Sequence, residues 1–280
     1  MKRLLFCLML LGAPVAAQTL YFSAIPDEDE TRLIERFGAV ADYLEAELDV
    51  DVEYVPVKSY AAAVTAFRND QIQLGWFGGL SGVQARIAVP GSRAIAQGTE
   101  DQTFVTYFIA NTDTGLEPSD TFPDLAGRSF TFGAQTSTSG RLMPEFWIRE
   151  STGQSPEALF SDVGFSGDHG QTLRLVASGA YDVGAMNFTV YDRAVADGLA
   201  EVDQAKVIWQ TPPYPDYNWT IREDVDARFG EGFADKVQAA LIGMQDEALL
   251  ASFPRDAFIR ADNALYQPIE DTARALDIID

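Results

Sequence analysis

Ser137, Thr138, Ser139 and Gly140 stand in a row between a strand-like run, 129–132, and a helical run, 140–150. Three hydroxyls there share the start of a helix with backbone N–H groups that have no partner in the first turn. The helix dipole is positive at that end, so the arrangement can receive an oxyanion without a lysine. An ordinary N-cap is the plainer reading, and it needs only one of the hydroxyls. Pro144 suits the first turn of a helix and puts the helix start close to the hydroxyls. His169 is the only histidine of the chain, in Gly167-Asp168-His169-Gly170 ahead of a second helical run. A glycine-flanked strand-to-helix turn is a common place for a functional side chain, and an imidazole there can donate to an anion. A surface or core histidine is the competing reading. Ser59-Tyr60 opens a helix in the first half of the chain in the same manner, and Trp76-Phe77-Gly78-Gly79 closes a strand. Tyr60 and the strand end at Phe77 could supply O–H and N–H donors from an opposite wall. Core packing of the aromatic ring and a simple Gly-Gly turn explain the second segment equally well. Asn187, just beyond the strand 182–186, is either a ligand-facing amide or a helix cap. Tyr214, Tyr217 and Trp219 line a cleft or pack a hinge.

Other chemistries are poorly served. The chain has no G-x-x-x-x-G-K-[ST] loop and no G-x-G-x-x-G, and Gly164, Gly167 and Gly170 have the wrong spacing for the latter. The stretch Gly79-Leu80-Ser81-Gly82 is one residue short of a nucleophile elbow. A Ser137 or Ser139 pair with His169 would give a secreted serine hydrolase, but no orienting motif accompanies it. With one histidine and one cysteine, Cys7, a zinc site is not expected, nor is any other metal or cofactor.

These residues sit in a regular alternation of elements. The β-rich stretch 19–25 ends at Pro26, and Leu33, Phe37, Val40, Leu44 and Leu48 then recur at helical spacing. A strand is expected over 50–57, a helix capped by Ser59 through about Arg68, and a strand over 72–77. The pattern restarts after Asn111 with strands at 129–132, 162–165, 182–186 and 206–210, separated by helices at 140–150 and 171–178 and one behind Met186. The stretch 211–215, Thr-Pro-Pro-Tyr-Pro, reads as stiff and extended, and 229–244 as one helix. Strand–helix alternation in two blocks predicts two α/β lobes with parallel sheets, joined by two strands near 107–113 and 206–213. The first lobe takes 18–108 with 208–280, the second 109–207. A cleft between such lobes is a natural ligand site, because strand ends and helix N-termini face it.

At 280 residues, 47% hydrophobic and 22% charged, the chain has the make-up of a well-cored globular protein. Its 42 acidic and 20 basic residues give a net charge of −22, which disfavours nucleic acid and anionic membrane surfaces as partners. Lys2-Arg3, the apolar run 4–11 and Val15-Ala16-Ala17 compose a secretory signal peptide over 1–17, with cleavage expected before Gln18. Loss of its two basic residues takes the charge to −24 and removes Cys7, leaving no thiol or disulfide. Export of a disulfide-free, two-lobed chain suits a bacterial periplasm, where it is expected to act as a monomer.

Three segments, YAAAVTAFRNDQIQLGWFGGLSGVQAR (60–86), FGAQTSTSGRLMPEF (132–146) and GFSGDHGQT (164–172), resemble the substrate-binding proteins of phosphonate, phosphite and phosphate ABC importers. VPGSRAIAQG (89–98) and TPPYPDYNWT (211–220) are most similar to the branch of that family labelled selenate-binding. The resemblance covers essentially the whole chain beyond the leader. It implies a type II periplasmic binding fold that closes on a small tetrahedral oxyanion and delivers it to an ABC permease. It further implies that Ser137, Thr138 and Ser139 grip the anion, that His169 donates one more bond, and that Tyr60 binds from the other lobe. Phosphonate binders of the family carry an aspartate near the position of Asn187. The neutral amide here departs from that pattern and leaves selenate-like, phosphate, phosphite and small phosphonate ligands open. The same fold could also serve as the oxyanion-sensing subunit of a membrane histidine kinase.

Overall fold

The computed structural model describes residues 18–280, so the leader read at 1–17 lies outside the described residues. The strands are β1 (Leu20–Ala24), β2 (Val52–Tyr54), β3 (Leu74–Phe77), β4 (Arg93–Gly98), β5 (Thr106–Asn111), β6 (Ser129–Phe132), β7 (Asp162–Phe165), β8 (Val183–Asn187), β9 (Ala205–Gln210), β10 (Asn218–Ile221) and β11 (Phe258–Arg260). They form two sheets, one ordered β11-β4-β10-β3-β1-β2 and the other β7-β6-β8-β5-β9. Parallel pairs β1–β2, β1–β3, β6–β7 and β6–β8 follow from the intervening helices, and antiparallel strands complete each sheet.

Local sequence accounts for the helices that aim at the space between the sheets. Glu30–Leu48 buries the stripe Leu33, Phe37, Val40, Leu44 and Leu48, with Asp29 as its cap. Ser59 accepts from the Ala62 N–H and starts Tyr60–Arg68, as the spacing predicts. Asp168 caps His169–Ala177 by accepting from the Gln171 N–H.

Several sequence expectations are corrected. Gly78-Gly79 is no mere turn, since Gly79 begins the helix Gly79–Ala88, where tight packing against Asn218 and Arg86 leaves no room for a side chain at Gly82. The run read as one helix from Phe229 is two, Val225–Phe229 and Phe233–Ile242, broken at Gly230 and Gly232, whose φ of 107° and 80° no helix admits. The strand at 50–57 shortens to β2, and β4, β10 and β11 have no counterpart in the sequence reading. Residues 107–113 and 206–213, expected as crossings, lie largely in β5 and β9, which pair antiparallel within the second sheet. The chain instead passes between sheets at Phe104 and along 211–217, where Phe104 and Tyr214 exchange two backbone hydrogen bonds of 2.9 Å.

The lobes also meet away from the crossings. Arg193, on the helix Phe188–Ala196 of the second lobe, donates to the carbonyls of Ala251 (2.9 Å) and Ser252 (3.0 Å) in the first. It also reaches Glu28 at 3.5 Å, while Arg32 and Asp197 pair at 2.9 Å on the surface nearby. Arg193→Ala is therefore expected to favour separated lobes and to weaken ligand affinity about tenfold, chiefly through faster release. Stopped-flow dissociation and small-angle scattering of the unliganded protein read this directly. Unchanged release and radius would show the contact to be incidental.

Candidate functional site

Ser137 caps a segment that begins as a π turn over Thr138–Leu142 and continues as the α-helix Met143–Thr152. The Leu142 N–H bonds the Ser137 carbonyl at 3.0 Å, five residues back. Pro144 explains what happens next. It has no N–H to offer the carbonyls behind it, so Ser139 O takes the Thr106 hydroxyl (2.9 Å) and Gly140 O takes the Gly133 N–H (2.7 Å). The widened turn thus presents the three hydroxyls between the lobes, a use to which π turns are often put.

All three hydroxyls are buried, and the structure gives each a different surrounding. The Ser137 oxygen accepts from the Gly140 N–H at 2.9 Å and lies within hydrogen-bonding reach of Tyr60. Ser139 lies within reach of Tyr214, whose hydroxyl bonds Thr106. Thr138 faces the first lobe: its oxygen accepts from the Leu80 N–H at 3.0 Å. Thr138 is therefore a tie between the lobes.

His169 meets these groups from its own helix start, wholly buried. Its Nδ1 is 3.2 Å from the backbone nitrogen of Asn187, which can only donate. Nδ1 is thereby the acceptor, and the ring proton resides on Nε2, 3.5 Å from the Tyr60 hydroxyl. Burial holds the imidazole neutral, pulling its pKa down to about 4 against the opposing influence of Glu28. Burial, and next the charge of Asp27, raises the Tyr60 hydroxyl well above its ordinary value, so it stays protonated. Tyr60 O–H and His169 Nε2–H are two neutral donors, one from each lobe, that converge on the same place.

Asn187 is the helix cap that the sequence allowed. Its Oδ1 caps the helix Phe188–Ala196, accepting from Thr189 N–H (2.7 Å) and Thr189 O–H (2.9 Å). Its Nδ2 donates to Tyr217 Oη at 3.0 Å, which leaves one amide hydrogen uncommitted. Phe77 is a different matter. Its ring turns into the first lobe, edge-on to Phe67 and over the bare face of Gly75, and contributes no donor to the cluster. The strand end is represented instead by backbone: Gly79 N–H bonds Asp216 (2.8 Å) and Leu80 N–H bonds Thr138. Trp219 is central in β10 and packs on Phe22, Phe37 and Trp76, so it belongs to the core. Trp76 stacks on Tyr217 at 5.3 Å and fixes that ring.

The sequence reading missed two acids. Asp27 follows β1, and its Oδ2 accepts from Tyr217 O–H at 2.8 Å while its Oδ1 is buried without a partner. Asp216 has the same orphaned second oxygen. Burial raises both, Asp27 to about 6 and Asp216 to about 7, partly offset by Arg36 for the first and by the Gly79 N–H for the second. The signal available was an acid at a strand end beside proline, in Ile25-Pro26-Asp27 and Pro215-Asp216. A cleft of about 550 Å³ adjoins the cluster at Tyr60 and is lined by Ser59, Gln135, Thr136 and Asp168 among others.

Two α/β lobes with two crossings, and neutral donors from both lobes buried at helix starts between them, define a two-lobed periplasmic binding protein. The family model of the periplasmic substrate-binding proteins of phosphonate ABC transporters matches residues 22–266, and the chain belongs to that family. It is 37% identical over 270 residues to a probable phosphite-binding ABC transporter protein, PhnD1, of Prochlorococcus marinus, covering 94% of this chain and 91% of that one. The solved structure of PhnD1 with methylphosphonate superposes with a TM-score of 0.90 at 38% identity, covering 93% of this chain and 99% of that one. The phosphonates-binding periplasmic protein of Escherichia coli is 24% identical over 75% of this chain and 64% of its own.

Proposed function

We propose that the chain is an exported solute receptor that captures a small tetrahedral oxyanion by lobe closure and passes it to an ABC permease. Phosphite and small phosphonates are the favoured cargo, with phosphate and selenate behind them. The observation that carries this reading is the convergence of Tyr60, Ser137, Ser139 and His169 as buried neutral donors at three helix starts on both sides of the cleft. Such donors replace the water shell of an anion, and at contact they outweigh the distant, salt-screened net negative charge of the chain. The methylphosphonate held by the similar PhnD1 structure agrees with a site of this size and polarity.

In this proposal no catalytic step follows capture. His169 has Nδ1 engaged by the Asn187 N–H and a proton on Nε2, so it is no base for Ser137 or Ser139. In this proposal the leader is removed before Gln18 in the periplasm, which N-terminal sequencing of the exported protein checks. The lobes divide at the crossings, so residues near Phe104 and 211–217 act as the hinge.

The test is thermal melting of the mature chain with methylphosphonate, phosphite, phosphate, selenate, sulfate and 2-aminoethylphosphonate, followed by calorimetry. A ligand at a hundred times its Kd adds about 2.7 kcal/mol, so a selective rise in Tm is expected for phosphite or methylphosphonate. No rise with any of the six would remove the oxyanion reading.

A further inference from the structure

Asp27 puts a carboxyl beside Tyr60, Tyr217 and the turn that carries His169. It is 4% exposed, and one oxygen is tied through Tyr217 Oη to Asn187 Nδ2, forming a relay of 2.8 and 3.0 Å across the two lobes. Its backbone carbonyl accepts the N–H of His169 at 3.3 Å, so the acid is anchored on the same turn that presents the imidazole. Its other oxygen, Oδ1, is buried and bonds nothing. A buried acceptor left alone is costly and signals a missing partner.

The charges around it do not supply one. Arg36, from the helix Glu30–Leu48, is bonded to Glu28 at 2.8 Å, and Arg193 from the second lobe also faces Glu28. Tyr54 from β2, Tyr60 and Tyr217 face Asp27 as neutral phenols held protonated by burial, and His169 is neutral. Asp216 adds a second acid near Tyr60 and Tyr217. An ionised Asp27 beside an unprotonated dianion would repel it at short range with little solvent between them.

We propose that Asp27 makes oxyanion capture proton-coupled, the closed site holding one proton between the Asp27 Oδ1 and a ligand oxygen. This rests on the oxyanion reading above. A monoprotonated ligand donates its hydroxyl to the carboxylate, and a dianion is instead met by the carboxylic acid, which donates to it. The two descriptions contain the same atoms and the same single proton. Where both Asp27 and the ligand are ionised in solution, each capture takes one proton from water. Affinity then falls about tenfold for each pH unit of rise. Asp27 thereby takes the part of an acid in a site where Asn187 is neutral, and it selects ligands that can share a proton.

The experiment is calorimetry of the mature chain with methylphosphonate at about pH 8.5, above the ordinary range of any carboxyl, in two buffers of different protonation heat. The difference in heat counts protons. About one proton taken up per ligand is expected for the wild type. The count should be near zero for Asp27→Asn, whose amide offers a donor and an acceptor without titrating, with Kd then flat in pH. Tyr217→Phe removes the bond that favours the carboxylate, so with a ligand that is a dianion throughout, sulfate or selenate, its Kd should begin to weaken at higher pH than in the wild type. If Asp27→Asn does not fold, the wild-type count and the Tyr217→Phe shift carry the test. Zero uptake by a wild type that does bind overturns the inference and leaves the oxyanion reading intact. Uptake that survives in Asp27→Asn but vanishes in Asp216→Asn or His169→Asn assigns the proton elsewhere and also overturns it. A wild type that binds none of the oxyanions removes the function and this inference together.

Discussion

Replacing Ser137 and Ser139 together with alanine is expected to weaken oxyanion capture by a hundredfold or more while leaving a folded protein. In the proposed site each hydroxyl makes a hydrogen bond to a charged group, worth about 1.5–3 kcal/mol, so two remove about 3–6 kcal/mol. At 1.4 kcal/mol per decade that is a loss of about a hundredfold to ten-thousandfold in Kd. The cost to the fold is smaller. Ser137 also caps Gly140 N–H at 2.9 Å, and losing a cap costs about 1 kcal/mol. Thr138 is left in place because its oxygen already serves the Leu80 N–H between the lobes. Calorimetry with the best ligand from the melting series, beside a melt of the unliganded variant, separates the two effects. Affinity within threefold of wild type would show that the hydroxyls are structural caps.

The largest effect on stability is expected from Arg255→Ala. The guanidinium is 2% exposed and grips the fully buried Asp101 with both arms, Nη2 to Oδ1 at 2.6 Å and Nε to Oδ2 at 2.9 Å. Nη1 donates to the Phe253 carbonyl at 2.7 Å, and the charge lies 5.7 Å over Phe104 and 5.4 Å over Tyr217. Burial already holds the Asp101 carboxyl above its ordinary range with the arginine present. Removing the cation leaves a buried charge alone, at a cost of about 3–5 kcal/mol, or a fall in Tm of roughly 10 °C for a chain this long. The loss reaches the crossing itself, since the Asp101 carbonyl accepts the Asp216 N–H at 2.9 Å. The double variant Asp101→Asn with Arg255→Ala should recover part of the loss, because no lone charge remains. A double variant no more stable than Arg255→Ala would refute the account.

Much of this is legible in the sequence. The apolar stripe from Leu33 to Leu48 sets a helix by spacing alone, and β6 and β7 have the bounds the sequence predicts. Serine before a helical run marks a helix start, which is how Ser59 and Ser137 became visible. What hid β4, β10 and β11 is that they add to a sheet from the far side of the chain. Their alternation is blurred where both faces are buried, as in Asn218–Ile221. The helix at Gly79 was hidden by its own glycines, which read as a turn.

By itself, then, the sequence determined what depends on neighbours within four or five residues: the alternation of strands and helices, their caps, and the donors that stand at helix starts. Those preferences act through backbone bonds and side-chain spacing along the chain, and no distant partner is needed to state them. The tertiary structure alone decided which donors are free. It spent Thr138 on Leu80, 58 positions away, and turned Phe77 inward onto Phe67. It brought Asp27 to Tyr217 across 190 positions and Arg255 to Asp101 across 154. Such pairs are fixed by the order of strands in a sheet and the meeting of two lobes. A charge buried by that meeting acquires its ionisation from surroundings that no local stretch of sequence contains.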